Sequence, residues 1–316
     1  MKLTSYLILL FLIVGSRAFS QNFSGEIVYE ISIIPKKKTI NVDSIISLKK
    51  GSLARYLISD NYYKSTHVDN GKTTYSYTYD DTTKRMYDEL TDGDYITYRD
   101  SRKANYKYYS SEIYRDSLKT ILGMECFKVN YKSELGNSST YYSNDVRVNY
   151  ETFQGHKVGN WYNKLKEVDG CLTLKTITEF DDYFEVREAI EINKREVLKS
   201  EFVIPQSKLV VASFSALDKQ VEMKSPNQKQ IECYQIKLKL GTQKKVNVKS
   251  MTSYISFIIT ELGEIESIEP YEKDEYGLYK IALDIVKNCG FEFRPGEIKG
   301  NAVSSLTYFP IQFQFE

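Results

Sequence analysis

Six side chains have the chemistry of nucleophiles, metal ligands or proton carriers: His67, His156, Cys126, Cys171, Cys233 and Cys289, all the histidine and cysteine of the chain. Their spacing argues against such use. Neither histidine has Cys, Asp or Glu at a metal-ligand interval, the cysteines are scattered, and no Cys-x-x-Cys is present, so metal binding and redox catalysis lack their usual frame. A Ser-His-Asp arrangement would have to use one of the two histidines, and no Gly-x-Ser-x-Gly elbow is present. There is no Walker loop and no Gly-x-Gly-x-x-Gly. His67 follows Lys64-Ser65-Thr66 in a strand-like run and reads as a surface imidazole. The carboxylate pairs Asp80-Asp81 and Asp181-Asp182 flank turns, where solvated turn residues are the ordinary case. The expectation is a non-enzymatic protein with no catalytic residue, no metal and no cofactor.

Three other features invite a binding role. Lys237, Lys239, Lys244, Lys245 and Lys249 form a basic stretch around Gly241. Read as a strand, Lys237 and Lys239 point away from the apolar face, so a solvated strand face is preferred over an anion-binding patch. Trp161, the single tryptophan, lies in a Gly-bounded loop, His156-Lys157-Val158-Gly159-Asn160-Trp161-Tyr162. It either fills core or anchors a partner, and core filling is preferred. Cys126 and Cys171 fall before residue 208, and Cys233 and Cys289 after residue 227. Either Cys126 bonds Cys171 and Cys233 bonds Cys289, or all four are buried free thiols.

The compartment bears on that choice. Met1-Lys2, the apolar run Tyr6–Val14 and Ala18-Phe19-Ser20 before Gln21 have the layout of a secretory signal peptide over residues 1–20. The apolar run is shorter than the ~20 residues a spanning helix needs. The expectation is export to the periplasm of a Gram-negative cell, with no stable membrane span after cleavage. Export makes disulfides feasible. A net charge of +1 gives no reason to expect a nucleic-acid partner.

The elements that would position these residues are mostly strands. In Gly25–Ile33, Ile27, Tyr29, Ile31 and Ile33 share one face. Further strand-like runs follow at Leu53–Ser59, Thr73–Tyr79, Tyr95–Tyr98, Cys126–Tyr131, Thr140–Ser143, Thr173–Thr178, Phe184–Ile192 and Ser200–Ile204. Turn signals such as Asp69-Asn70-Gly71-Lys72 and Thr91-Asp92-Gly93-Asp94 separate them. Residues 21–207 read as an antiparallel β domain curled as an open barrel. Residues 208–227 read as a partly packed connection. Residues 228–316 read as a small α+β domain, opened by a strand over Gln230–Leu240 with a bulge at Tyr234–Gln235.

That second segment carries the clearest pattern. Ile255, Phe257 and Ile259 alternate on one strand face, Leu262-Gly263-Glu264 turns, and Ile265 and Ile268 begin a return strand. Asp274 stands as an N-cap, Leu278, Ile281, Ala282, Ile285 and Cys289 follow at helical spacing, and Gly290 ends the helix. Turns at Pro295-Gly296 and Lys299-Gly300-Asn301 precede a closing strand. In it Phe309, Ile311, Phe313 and Phe315 alternate with Pro310, Gln312 and Gln314.

This ordered set resembles the C-terminal domain of the TonB energy transducers. The matching stretches are Ile258–Ile268, Ala282–Val286, Phe293-Arg294-Pro295-Gly296, Lys299–Val303 and Phe309-Pro310-Ile311-Gln312-Phe313. It departs at Phe293, where that family commonly has Trp. The resemblance implies a ββαβ fold whose closing strand, Tyr308, Phe309, Pro310, Ile311, Gln312, Phe313, Gln314 and Phe315, is a docking edge for a partner protein of the cell envelope. The chain has 6 prolines and no Pro-rich spacer of the kind TonB proteins use to cross the periplasm.

The first segment distantly resembles the GLPGLI family of exported bacterial β proteins. The residues concerned are Gly25–Tyr29, Ile121–Lys128, Tyr141–Val146 and Phe202–Pro205. The naming hexapeptide is absent, and Asp169-Gly170-Cys171-Leu172 sits near its place. By analogy the architecture is similar to the open barrels of lipoprotein carriers such as LolA. Two functions from different classes follow as expectations. One is an interaction protein that binds a partner by strand addition at the closing strand, in TonB-linked envelope transport. The alternative is a carrier of an apolar ligand in the N-terminal open barrel.

Overall fold

The computed structural model describes residues 22–244 and 246–315. The signal-peptide reading falls on residues 1–20, outside them. The chain is mainly β with few helices. In chain order the strands are β1 (Gly25–Pro35), β2 (Leu53–Ser59), β3 (Tyr62–Asp69), β4 (Lys72–Asp80), β5 (Arg85–Leu90), β6 (Tyr95–Asp100), β7 (Tyr108–Ile121), β8 (Met124–Ser133), β9 (Gly136–Arg147), β10 (Cys171–Glu179), β11 (Tyr183–Lys194), β12 (Leu209–Ala212), β13 (Glu222–Met223), β14 (Ser250–Ile259), β15 (Ile265–Pro270), β16 (Phe293–Arg294), β17 (Gly296–Ile298), β18 (Asn301–Val303) and β19 (Ser305–Gln314). The helices are α1 (Val42–Leu48), α2 (Trp161–Glu167), α3 (Gln228–Thr242) and α4 (Leu278–Asn288).

The chain divides into two compact units. Among the described residues one comprises 22–64 and 106–201, the other 65–105, 202–244 and 246–315. The stretch 208–227, expected as a connection, lies inside the second unit and contributes β12, whose Val211 is fully buried.

The first unit holds the antiparallel run β2-β1-β11-β10-β9-β8-β7, in which β2 is also flanked by β3 and β7 is the terminal strand. Its alternating faces follow from strand periodicity. Phe127, Val129 and Tyr131 of β8 share a face with Tyr142 of β9, and the seven-residue α2 lies on the same side, with Leu165 buried. The first strand is as expected: Ile27, Tyr29, Ile31 and Ile33 are all buried. Ser200–Ile204 is not a strand. A 3-10 turn spans Lys199–Phe202, stapled by Arg195 to the Glu201 carboxylate. That carboxylate accepts from the Leu198 N–H as well as from Arg195 and is held at a pKa of about 2.

In the second unit the order is β15-β14-β19-β12-β6-β5-β4. β12 pairs in parallel with β6 and with the start of β19, and the other neighbours are antiparallel. The β14–β15 hairpin, α4 and β19 appear where the sequence puts them. Helices α3 and α4 cover one sheet face, enclosing Ile255, Phe257, Ile259, Ala282, Ile285, Val286, Ile311 and Phe313.

The strand expected over Gln230–Leu240 is a helix. Asn227 accepts from the Gln230 N–H at 3.0 Å, and the Gln230 side chain accepts from the Asn227 N–H at 2.8 Å. This capping box satisfies first-turn donors that a strand would not leave open. Tyr234, Leu238 and Gly241 then fall at i, i+4 and i+7 on the core side. The apparent phase slip at Tyr234–Gln235 was the 3.6-residue period seen through a two-residue template. Asp274 also acts differently from a simple N-cap. Gly277, at φ 67°, holds the cap position, while the Asp274 carboxylate accepts from the Leu278 and Tyr279 N–H groups at 2.9 and 2.7 Å.

Candidate functional site

The closing strand lies against β14 over its whole length, from Ser305↔Ile259 to Gln314↔Ser250. Its backbone directions follow from one bond. Phe315 N–H donates to Lys249 C=O at 2.9 Å, so by the two-residue alternation of an antiparallel ladder Phe313, Ile311, Phe309 and Thr307 also face β14. The N–H and C=O groups of Tyr308, Gln312 and Gln314, and the C=O of Pro310, therefore face the other way. On that side β19 meets β12 only at Ser305↔Ala212. Among the described residues no strand pairs with the outer edge beyond it. Proline belongs at such a place, since it has no N–H to lose from a ladder.

The side chains separate as cleanly as the backbone groups. Ile311 and Phe313 are fully buried under α3 and α4, and Phe309 and Phe315 pack partly against the same core. Tyr308, Pro310, Gln312 and Gln314 are exposed. The face that carries them has two further exposed tyrosines, Tyr254 and Tyr271. The Tyr271 and Tyr308 rings meet edge to face at 5.3 Å. Burial, helped by Tyr271, raises the Tyr308 pKa, so the phenol stays neutral. The structure thus brings seven of the eight expected closing-strand residues to one strand, with Phe315 just beyond its end, and divides the eight into a core-facing set and an edge-facing set. Tyr254 and Tyr271 were not singled out in the sequence, although Tyr254 alternates with the buried Ser253 and Ile255 and is legible as outward-facing.

The cysteines divide differently from the expectation of two bonds. Cys233 of α3 and Cys289, the C-cap of α4, form a disulfide with Cα atoms 5.5 Å apart. Cys126 and Cys171 are free and buried. Cys126 lies on β8 opposite Ser143 of β9, and Cys171 on β10 opposite Arg147 of β9. Two strand spacings, about 9.6 Å, separate β8 from β10, beyond the reach of a disulfide. Cys171 also packs with Phe127, the neighbour of Cys126 that points to the opposite face. Burial pushes the Cys126 thiol up to about 11 and raises that of Cys171. We expect neither thiol to react with iodoacetamide at neutral pH while the protein is folded. Both should react after unfolding under non-reducing conditions, with Cys233 and Cys289 recovered as one bonded peptide pair. Rapid labelling of Cys126 in the native state would contradict this placement.

The two histidines are interior residues. His67 is 5% exposed and packs against the Tyr75 and Tyr77 rings, so the surface reading of His67 does not hold. Its position on β3 alternates inward with Ser65 and Tyr63. His156 is buried, with Nε2 2.5 Å from the Tyr63 hydroxyl. Trp161 fills space between Tyr56, Tyr63 and Phe153. Of the basic stretch, Lys237 is paired with Asp284 of α4, and Lys244 donates to the Tyr276 C=O at 2.5 Å. Among the described residues no cluster of three or more His, Cys, Asp or Glu is placed to hold a metal. No helix among them is long and apolar enough to cross a membrane.

No protein-family model and no curated protein matches the chain. Among solved structures it is similar to one described as "Structure of PNGF-II in C2 space group", at 13% sequence identity and a TM-score of 0.35. That similarity covers 75% of this chain and 42% of the other, so the chain spans less than half the length of that protein.

Proposed function

We propose that this is a non-enzymatic cell-envelope protein, exported to the periplasm, that binds an extended segment of a partner protein by strand addition along β19. The observation that carries the reading is the outer edge of that strand, with N–H donors at Tyr308, Gln312 and Gln314 and no paired strand beyond Ser305 among the described residues. Unpaired edge groups accept another strand. Each new backbone hydrogen bond contributes about 0.5–1.5 kcal/mol net. The flanking face, with Tyr254, Tyr271 and Tyr308, offers aromatic surface to alternate side chains of the added strand. The order hairpin, helix, closing strand beside the first hairpin strand supports the TonB-like reading of residues 250–315. A TonB-linked transport role is the setting that this resemblance implies. The comparison of residues 21–207 with LolA-like open barrels rests on the antiparallel run of strands.

The test is Gln312→Pro, read by crosslinking in cells from a photoreactive residue at Tyr308. Pro310 already occupies the equivalent outward register two residues earlier, so a second proline there should leave the thermal midpoint within a few degrees. Crosslinked partner should fall at least about tenfold, because one donor is lost and a ring stands on the edge. Gln314→Pro should act in the same direction. Undiminished crosslinking in both folded variants would rule out docking at this edge.

A further inference from the structure

In the first unit, a cavity of about 220 Å³ opens between α2 and the sheet face formed by β7 to β10. Its walls are the rings of Tyr106, Tyr108, Tyr131 and Tyr142 and the hydroxyls of β9 and β10, and α2 contributes Trp161 and Lys164. These two lie three residues apart and so share a helix face. Trp161 lends ring surface to the wall, while its Nε1 is sealed from the cavity. Lys164 brings the donor that the protein leaves short of acceptors.

The Lys164 ammonium donates to the Tyr106 hydroxyl at 3.1 Å and lies 4.9 Å from the centre of the Tyr131 ring. No carboxylate is within ion-pairing distance of it among the described residues. Glu167, the nearest acid to act on it, is engaged by the Ser111 hydroxyl. Burial lowers the Lys164 pKa to about 8, with Glu167 opposing the shift. A buried cation of this kind is stabilised by an anion that enters with its own hydrogen-bonding oxygens.

We propose that this cavity binds a small aromatic monocarboxylate, with the carboxylate received by Lys164 Nζ and the ring held among Tyr108, Tyr131 and Tyr142. One cation matches a single negative charge. A phosphate or sulfate dianion would carry an unbalanced charge into the site, and a neutral sugar would leave the ammonium without a counter-charge. The aromatic walls favour a ring, which they contact edge-on or offset. The size agrees, since an apolar cavity of about 150 Å³ holds a benzene, and 220 Å³ leaves room for a short acid group. The proposal is independent of docking at β19, which lies in the other unit.

Phenylacetate and phenylacetamide, equal in shape and different in charge, are the probes. Trp161 is the only tryptophan, so its fluorescence, excited at its red edge, reports the site directly, and calorimetry on the same full-length protein gives the affinity. At pH 7 phenylacetate should bind saturably and change the emission, with phenylacetamide at least about tenfold weaker. Lys164→Met should weaken phenylacetate by at least about tenfold and leave the amide nearly unchanged. The acid-versus-amide comparison needs no variant and stands even if Lys164→Met does not fold. No saturable binding of phenylacetate up to about 10 mM, or equal binding of acid and amide, would overturn the proposal. So would unchanged phenylacetate affinity in folded Lys164→Met.

Discussion

Replacing Cys233 and Cys289 together by alanine should lower the stability of the second unit by about 4 kcal/mol. The bond ties α3 to the end of α4 across 56 residues of sequence. In the chain-entropy account a closed loop of 15 residues is worth about 3 kcal/mol and one of 100 about 4.7, and this loop lies between them. The loop contains β14, β15 and all of α4, so without the bond the unfolded chain regains freedom over most of the segment that positions β19. Denaturation of the wild type with and without reductant, beside the double variant, checks this. Reductant should bring the wild type down to the variant and leave the variant unmoved. Because Cys126 and Cys171 are free thiols, reductant sensitivity that persisted in the variant would mean a bond elsewhere and would sink the assignment.

What the sequence disclosed depended on how much of each pattern was local. In β14 and β19 the alternation of Ile255, Phe257 and Ile259, and of Phe309, Ile311 and Phe313, is clear because one face meets two helices while the other exposes Tyr254, Tyr308, Gln312 and Gln314; only toward Ile258 and Leu306 is that second face buried as well. The candidate edge was legible for the same reason. Its openness was not, since that depends on β12 ending at Ala212, a long-range fact. Helix α3 was misread because its outer face carries Ile236 and Leu240, 65% and 56% exposed. Those side chains filled in a false two-residue alternation. The capping box Asn227–Gln230 was the available signal for a helix.

Pairing errors had a topological cause. Two cysteines in one segment of a chain look like partners by sequence, but β9 stands between the strands that carry Cys126 and Cys171. The same ordering hid the cavity. Lys164 has no motif around it, and its character comes from Tyr106 and Tyr131, which reach it from a loop and from β8. His67 was read as exposed because its neighbours Lys64, Ser65 and Thr66 are polar. Ser65 is itself buried, and the inner face of that strand is a polar-aromatic one that hydropathy alone does not separate from a surface.

Phe313→Ala should cost about 3–5 kcal/mol, and a second substitution tells why. Phe313 is fully buried, and its ring lies against Gly241 of α3. A Cβ built on Gly241 would come within 2.3 Å of Phe313 Cε1. The ring therefore uses the space that the glycine leaves, and removing the ring opens a void between helix and sheet. In the wild type, Gly241→Ala gains about 1 kcal/mol of helix propensity but forces a buried ring to move, an overpacking cost of about 1–3 kcal/mol. Its net effect should be destabilising. In the Phe313→Ala background the collision is gone, only the propensity gain remains, and the same Gly241→Ala should stabilise. Denaturation curves of the four proteins form a double-mutant cycle whose coupling should reach about 1–3 kcal/mol. A stabilising Gly241→Ala in the wild type would mean that α3 does not approach β19 this closely. The sign reversal also separates folding from binding at adjacent positions. Phe313 acts through the core beneath the strand, whereas Gln312, one residue away, acts through the edge, so the two should fail in different assays.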